Sequence, residues 1–188
     1  MSRERIRALV DSNPGQASEA EYMLVHEVLA EQAPCNLLVF GVGRDSSLWM
    51  DANDGGRTVF VEDVKQWADY AREHVEGITV IDVRYWTLRI MWRVLRFIPS
   101  ALYMRSLPSD VLDAEWDVIL VDAPRGTRWY RRGRMMSIYT ASVLAKRSRG
   151  VVFVHDCHRF TEAECSDAFL GPDHLVREVE TLRYYAFG

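Results

Sequence analysis

The chain has few cysteines and no long apolar run. Its 188 residues include three cysteines, Cys35, Cys157 and Cys165, an odd set without the paired spacing of zinc ligands. Neither a disulfide framework nor a zinc site is indicated, so a reducing, cytoplasmic location is expected. No stretch approaches the roughly 20 apolar residues that span a bilayer, and the charged first residues lack the apolar core of a signal peptide. We expect a soluble protein without a membrane span.

An excess of positive charge is also lacking. The chain carries 23 Lys and Arg against 27 Asp and Glu, a net charge of -4 at pH 7. This balance creates no overall field that attracts polyanions, so nucleic-acid binding is not predicted. The length fits a single domain, and we expect residues 1–34 to form an N-terminal helical cap on a core at 35–188. The sequence leaves the oligomeric state open.

Five apolar, β-branched runs alternate with helix-like segments, and they read NLLVFGV, RTVFVE, ITVIDVRY, WDVILVDAP and GVVFVHD. Such runs are typical of parallel strands covered on both faces, and the alternation predicts an α/β fold. The tail HLVREVETLRYYAFG has two strand-like pieces with no room for a crossover, which predicts an antiparallel hairpin. Five parallel strands ending in such a hairpin resemble the Rossmann-like class I methyltransferase architecture, a mostly parallel seven-stranded sheet with helices on both faces.

Two helical segments have features of their own. Ser18 and Glu21 form an S-x-x-E capping box that predicts a helix start. The stretch WTLRIMWRVLRFIPSALYMRSLP interleaves arginines with aromatic residues and predicts a basic amphipathic helix. The favoured interpretation is a helix that covers the sheet and exposes an arginine-rich face, and the alternative is a surface for a membrane or a partner.

Glycine or an acidic residue follows four of the five predicted parallel strands, at the edge where ligands bind in open parallel sheets. The fragment GVGRDS lacks the third glycine of a dinucleotide motif and the lysine of a P-loop, so no phosphate cradle is predicted. Glu62, about 20 residues after the glycine turn, suits both ribose hydroxyls of an adenosine cofactor. A ribose without a polyphosphate favours S-adenosylmethionine over NAD. The alternative is that Glu62 or Asp63 caps the next helix.

Three ionisable residues, Asp122, His155 and Asp156, end two otherwise apolar strands and are the predicted catalytic residues. Asp122 and Asp156 could hold a divalent cation that lowers the pKa of a substrate hydroxyl. Alternatively, Asp122 or His155 could act as a metal-free general base, or all three could merely cap loops. The following loop is rich in arginine, which suits an anionic acceptor, although it could equally be a solvated loop. The predicted substrate-binding residues are Arg125, Arg134, His158 and Arg159.

Several blocks, taken in order, resemble the plant glucuronoxylan 4-O-methyltransferases and their polysaccharide-biosynthesis relatives of the irregular xylem family. The blocks are PCNLLVFGVGRDSSLW, NDGGRTVFVED, EWDVILVDAPRG, RRGRMMSIYTASVLA and FVHDCHRFTEAECSDAFL. The resemblance implies a class I fold, S-adenosylmethionine as methyl donor and a hydroxyl acceptor. It further implies that Gly41, Gly43, Asp45 and Ser46 line the cofactor and that Glu62 binds its ribose. We predict Asp63, next to Glu62, as a further cofactor-binding residue. Gln16, Ser18 and Glu19 are similar to the family's N-terminal helix motif, which closes over the cofactor in this interpretation.

Three departures from the family pattern concern the acceptor side. Arg132 stands where proline is typical, Ala123 where glycine is usual, and an arginine and tryptophan-rich segment replaces a cysteine-bearing one. We also expect no counterpart of the membrane anchor of the plant members. The sequence therefore predicts an S-adenosylmethionine-dependent O-methyltransferase for an anionic, hydroxyl-bearing acceptor, either a saccharide such as a sugar acid or a small metabolite. Cyclisation or aminocarboxypropyl transfer with the same cofactor, and a non-catalytic partner-binding domain, are the alternatives.

Overall fold

Seven strands form one sheet in a computed structural model that describes residues 3–124 and 130–188. The strand order is β3-β2-β1-β4-β5-β7-β6. Strands β1 to β5 are parallel, and β7 pairs antiparallel with both β5 and β6. The predicted parallel strands and the terminal hairpin are therefore confirmed. The strands are β1 (Leu37–Phe40), β2 (Thr58–Glu62), β3 (Thr79–Asp82), β4 (Val118–Val121), β5 (Val151–Val154), β6 (Leu175–Val179) and β7 (Leu182–Ala186).

Helices lie on both faces of this sheet. Successive strand residues point to opposite faces, so Leu38 and Phe40 pack with α7 while Leu37 and Val39 pack with α2 and α3. This two-sided burial explains why the central strands are apolar throughout. The α-helices are α1 (Arg3–Ser12), α2 (Glu19–Gln32), α3 (Ser46–Ala52), α4 (Lys65–His74), α5 (Trp92–Leu95), α6 (Ser109–Leu112), α7 (Met135–Ser148) and α8 (Phe160–Phe169), with 3₁₀ turns at Arg89–Met91, Pro99–Leu102 and Pro172–His174.

The helix α2 begins with the predicted capping box. The Ser18 backbone N–H donates to Glu21 Oε2 at 2.8 Å, and the Glu21 N–H donates to Ser18 Oγ at 3.3 Å. Tyr22, Val25 and Leu29 on this helix are buried against the sheet. In the part of the chain that the structure describes, no helix has the length and apolar character to cross a membrane.

The predicted amphipathic helix between β3 and α6 is wrong. The segment forms a 3₁₀ turn, the short helix α5 and a second 3₁₀ turn that begins at Pro99. A proline lacks the N–H that a continuous helix requires, so one helix cannot run through this position. Trp92 and Leu95 are buried against the core, whereas Val94 and Phe97 are 62% and 73% exposed. The outward face therefore carries apolar side chains as well as arginines.

The helix α7 ends at Ser148, and the residue that caps it is not a glycine. Arg149 caps the helix in the left-handed conformation with φ 56°. Gly150 serves the next strand instead, since a β-carbon there would lie 2.2 Å from the Trp116 carbonyl oxygen. The glycine allows β5 to start in close contact with the chain that precedes β4.

Candidate active site

The polar strand ends lie together at the carboxyl edge of the sheet. The strand order reverses between β1 and β4, and this switch point is where ligands bind in open α/β sheets. Gly41 follows β1 and Asp122 follows β4, and the Asp122 N–H donates to the Phe40 carbonyl at 2.9 Å. Gly41 has φ 120°, and a β-carbon on it would lie 3.1 Å from Ala123 Cβ. This glycine is thus required by the neighbouring strand end, whatever lies above it.

The turn after β1 contains four of the predicted cofactor residues. The Gly43 N–H donates to Ser46 Oγ at 3.1 Å, so the buried Ser46 hydroxyl is used within the turn itself. Asp45 Oδ2 accepts the Trp49 indole N–H at 3.2 Å. Burial, together with the nearby charge of Asp122, raises the pKa of Asp45 to about 6. Of these four residues, only Asp45 lines the small cavity that is also bordered by Glu21, Tyr22, Trp49, Asp122 and His155.

Glu62 ends β2 with a buried carboxylate that binds the backbone. Its Oε2 accepts the Val42 N–H at 2.9 Å, and its Oε1 accepts the N–H groups of Asp63 and Val64 at 3.0 and 2.7 Å. Burial raises the pKa of Glu62 despite these bonds. The alternative in which Asp63 caps the next helix is wrong, because α4 is preceded by Val64 without a side-chain cap. Asp63 instead pairs with Arg132 Nη1 at 3.4 Å.

These residues fit an adenosine cofactor. A carboxylate offers about four acceptor positions, and the described backbone uses three of those on Glu62. The remaining position belongs to Oε2, the oxygen that already contacts the turn after β1. An acceptor-only group beside this turn suits a ribose hydroxyl, which donates a hydrogen bond.

The two oxygens of Asp122 differ in their surroundings. His155 Nδ1 and Arg134 Nη2 both lie 2.9 Å from Oδ1. Oδ2 accepts no hydrogen bond from the described residues, and the side chain is 37% exposed. Burial opposes ionisation, but the charges of Arg134 and His155 outweigh it and lower the pKa of Asp122 to about 2. The residue therefore presents an ionised oxygen at the switch point of the sheet.

Arg134 is buried and connects the ends of β4 and β5. Its guanidinium binds Asp122 Oδ1, Asp156 Oδ2 and the His155 carbonyl. Asp156 has φ 66°, a left-handed conformation that aspartate tolerates better than most residues, and it also pairs with Arg159. The Arg134 side chain is only 4% exposed. Arg134 lies among the predicted catalytic residues, and its Nη1 and Nη2 groups donate to them.

The predicted cation site does not fit these contacts. Asp122, His155 and Asp156 do offer ligand atoms within 4.8 Å of one another. However, Arg134 Nη2 already bridges the two carboxylates, and the Nδ1 atom of His155 is directed at Asp122. A divalent ion between these carboxylates would have to displace the guanidinium.

The sequence interpretation missed Glu21 as a site residue. Its Oε2 lies 3.5 Å from His155 Nε2, and its Oε1 accepts the N–H and hydroxyl of Thr181 at 2.9 and 2.7 Å. Burial lowers the pKa of His155, but the carboxylates of Asp122 and Glu21 reverse this and raise it to about 10. A protonated imidazole at neutral pH does not favour the predicted general-base role. The capping box had explained Glu21 locally, so the sequence held no further signal for this contact.

The other predicted binding residues lie around this cluster. Arg159 pairs with Asp156, and His158 Nδ1 is 4.0 Å from Asp156 Oδ1 with its side chain 53% exposed. Arg125 lies outside the described residues. Glu19 pairs with two arginines of α1 and does not contact the cluster.

Sequence comparison identifies the family. The IRX15/IRX15L/GXM family model matches residues 20–92 and 91–185. The chain belongs to this family. Curated relatives in the family, all from Arabidopsis thaliana, include Protein IRX15-LIKE, 38% identical over 89% of this chain and 61% of its own length. Glucuronoxylan 4-O-methyltransferase 2 is 35% identical over 88% and 63%, and Arabinogalactan O-methyltransferase 2 is 33% identical over 90% and 66%. The chain thus spans about three fifths of the first of these relatives.

The fold of this chain is similar to the folds of solved structures. A Staphylococcus aureus protein described as a candidate caffeoyl-CoA O-methyltransferase gives a TM-score of 0.60 at 13% identity and covers all of this chain and 93% of its own. A methyltransferase-like protein from Silicibacter pomeroyi gives 0.53 at 14% identity, over 92% and 87%. At such identities the likeness concerns the fold alone. The predicted Rossmann-like methyltransferase fold is confirmed.

Proposed function

We propose that the chain is an S-adenosylmethionine-dependent O-methyltransferase that acts on an anionic, hydroxyl-bearing acceptor, either a sugar acid or a small metabolite. Relatives in its family carry the names of O-methyltransferases of glucuronoxylan and arabinogalactan. The observation that carries the proposal is Asp122, whose Oδ1 is held by two cations while Oδ2, at the switch point, accepts no hydrogen bond from residues 3–124 and 130–188. Such an oxygen can receive the proton of an attacking hydroxyl.

The cofactor-binding part of the proposal rests on the turn after β1 and on Glu62. Glu62 would accept a ribose hydroxyl at Oε2, and the backbone from Gly41 to Gly43 would contact the nucleoside. The half-buried carboxylate of Asp45 would attract the positive charge of the cofactor. When bound, S-adenosylmethionine supplies an electrophilic methyl group on a sulfonium.

In the proposed reaction, the protein mainly positions the acceptor. Asp122 Oδ2 would accept a hydrogen bond from the acceptor hydroxyl and take its proton as that oxygen bonds to the methyl carbon, while the carbon–sulfur bond breaks and S-adenosylhomocysteine leaves. Because the pKa of Asp122 is low, the proton passes on to water and the carboxylate is ready again. Arg134 and His155 keep the carboxylate in one orientation, and orientation of this kind can lower the barrier by several kcal/mol.

The preference for an anionic acceptor rests on the cations beside Asp156. Arg159 shares this carboxylate with Arg134 and retains 19% of its side-chain exposure, and His158 stands further out. One aspartate therefore faces two guanidinium groups. The more exposed of them, on Arg159, is placed to pair with a carboxylate of the acceptor.

Calorimetric titration of the cofactor-stripped chain tests the proposal first. We expect S-adenosylmethionine and S-adenosylhomocysteine to bind and NAD, as the control, not to bind. Incubation with sugar acids and small hydroxy acids should then yield S-adenosylhomocysteine together with a methyl ether. Release of methylthioadenosine would indicate cyclisation or aminocarboxypropyl transfer instead, and no binding of either sulfur nucleoside would refute a cofactor site.

Dialysis against a chelator tests the divalent cation separately. Because Arg134 bridges Asp122 and Asp156, we expect methyl transfer to survive chelation. Activity that disappears and returns only with added manganese or magnesium would show that a cation displaces the guanidinium.

A further inference from the structure

Glu21 connects three elements that are distant in the chain. It lies in the first turn of α2, contacts Thr181 in the turn between β6 and β7, and faces His155 at the end of β5. The residue is 3% exposed. Burial of a carboxylate costs free energy unless charged or hydrogen-bonding partners offset it, and here every partner comes from a different element.

A capping role alone does not account for these contacts. The box with Ser18 requires one oxygen of Glu21, and a solvent-exposed glutamate satisfies it equally well. The second oxygen takes two hydrogen bonds from Thr181, which fixes the carboxylate in the interior. From this fixed position, Oε2 faces Nε2 of His155.

The imidazole is thereby held from both sides. Asp122 Oδ1 lies 2.9 Å from Nδ1 and Glu21 Oε2 lies 3.5 Å from Nε2. A ring with a carboxylate at each nitrogen cannot turn about its χ angles without losing both contacts. His155 in turn keeps Oδ1 of Asp122 occupied, so that, among the residues the structure describes, Oδ2 is the oxygen left for an acceptor.

We infer that Glu21 is a positioning residue, which acts through His155 to orient Asp122 toward the acceptor hydroxyl. The inference rests on the methyl transfer proposed above. It also gives α2 a role in the reaction, because the helix places one of the two carboxylates that fix the ring.

Glu21→Gln tests the inference directly, because it removes the charge of the carboxylate and keeps the shape of the side chain. In Glu21→Gln, we expect kcat to fall about 10-fold to 100-fold while the Kd for S-adenosylmethionine stays within about twofold. The ring ¹⁵N signals of His155 in the cofactor-free protein, assigned with His155→Gln, should shift as the contact at Nε2 weakens. Restoration of part of kcat by Glu21→Asp would support the carboxylate as the active feature.

Two control variants separate positioning from helix capping. Ser18→Ala removes the cap hydroxyl and leaves the Glu21 carboxylate, and Glu27→Gln removes an exposed charge from the same helix without touching His155. Both should retain the His155 ring signals, and Glu27→Gln should also retain kcat. If Glu21→Gln fails to fold, Thr181→Val, which loses one bond to Oε1, should give a smaller change in the same direction.

The outcomes are distinguishable from failure of the proposed function. Unchanged ring signals in Glu21→Gln would overturn the inference even if the chain transfers no methyl group. Equal shifts of the His155 ring signals in Ser18→Ala and Glu21→Gln would also overturn it, since capping would then explain both. Shifted ring signals in a chain that binds no S-adenosylmethionine would support the contact and refute the methyl transfer alone.

Discussion

At the scale of single residues, Asp122 carries the proposed chemistry because one of its oxygens is bound and the other accepts no hydrogen bond from the described part of the chain. In Asp122→Asn, the amide no longer accepts a proton effectively, and His155 loses one of its two carboxylate partners. We expect kcat to fall about 10²-fold to 10⁴-fold, the range for loss of a general base. Initial rates of S-adenosylhomocysteine formation measure this. The exposed Asp113→Asn is the matched control, and a variant at Asp122 with unchanged kcat would remove this residue from the mechanism.

Glu62 should control the affinity for the cofactor rather than the rate. Glu62→Gln keeps an acceptor for the backbone amides but removes the charge, and hydrogen bonds to charged groups contribute about 1.5–3 kcal/mol. We therefore expect the Kd for S-adenosylmethionine to rise about 10-fold to 100-fold in calorimetry, with kcat at saturation largely retained. Glu73→Gln, on the exposed face of α4, serves as control. Equal affinity in both variants would contradict the ribose assignment.

At the scale of elements, the segment around α5 offers a comparison between neighbours. Leu95 is 6% exposed and packs in the main core cluster, whereas Val94 is 62% exposed. Leu95→Ala should lower the free energy of unfolding by about 2–5 kcal/mol, the usual cost of a buried leucine. Val94→Ala should change it by no more than about 0.5 kcal/mol. Urea denaturation measures both, and similar losses would show that Val94 is buried in solution.

The parallel strands and the segment around α5 show where the sequence predicts structure and where it does not. The runs around Val39, Leu120 and Phe153 predicted strands correctly, because a parallel strand buried on both faces leaves a local apolar pattern. Arginines and aromatics at helical spacing did not predict the turns around α5, because Pro99 and the burial of Trp92 determine them. Hydrophobic periodicity indicates which faces of a helix or strand are buried. The path of a short irregular segment depends instead on the residues that pack against it.

Some contacts of the site residues could be predicted from the sequence, and others could not. Asp122 and His155 could be predicted to meet, because the carboxyl ends of adjacent parallel strands share one edge. The contacts of Arg134 and Glu21 could not be predicted, because each reaches the cluster from a helix start whose position depends on tertiary packing. The sequence also predicted other roles for both residues, Arg134 as a substrate-binding residue and Glu21 as a capping residue.

At the scale of the whole molecule, the N-terminal helix, the parallel sheet and the terminal hairpin meet at His155. Its ring contacts Asp122 after β4 and Glu21 on α2, and Glu21 contacts Thr181 in the hairpin. These groups contact one another only in the folded chain. The proton affinity of the cluster therefore depends on folding, and folding depends on pH.

Stability should fall toward alkaline pH through His155. Its pKa is raised from 6.5 to about 10, so the folded state binds this proton more tightly than the unfolded chain does. The stabilisation is complete below the unfolded value and is lost as pH rises through about 10. For Glu21 and Asp122, both lowered to about 2, the stabilisation is present above their ordinary values and is lost as pH falls through about 2.

The pair of wild type and His155→Gln isolates the imidazole. We expect the difference in unfolding free energy between them, from urea denaturation at constant ionic strength, to be largest near pH 6 and to shrink steadily toward about pH 10. His158→Gln is the control, because its side chain is 53% exposed and contacts Asp156 only at 4.0 Å. A difference that stays constant or grows with pH would mean that His155 is neutral in the folded chain. The two carboxylates would then not share a charged ring, and the connection from α2 to Asp122 would lose its physical basis.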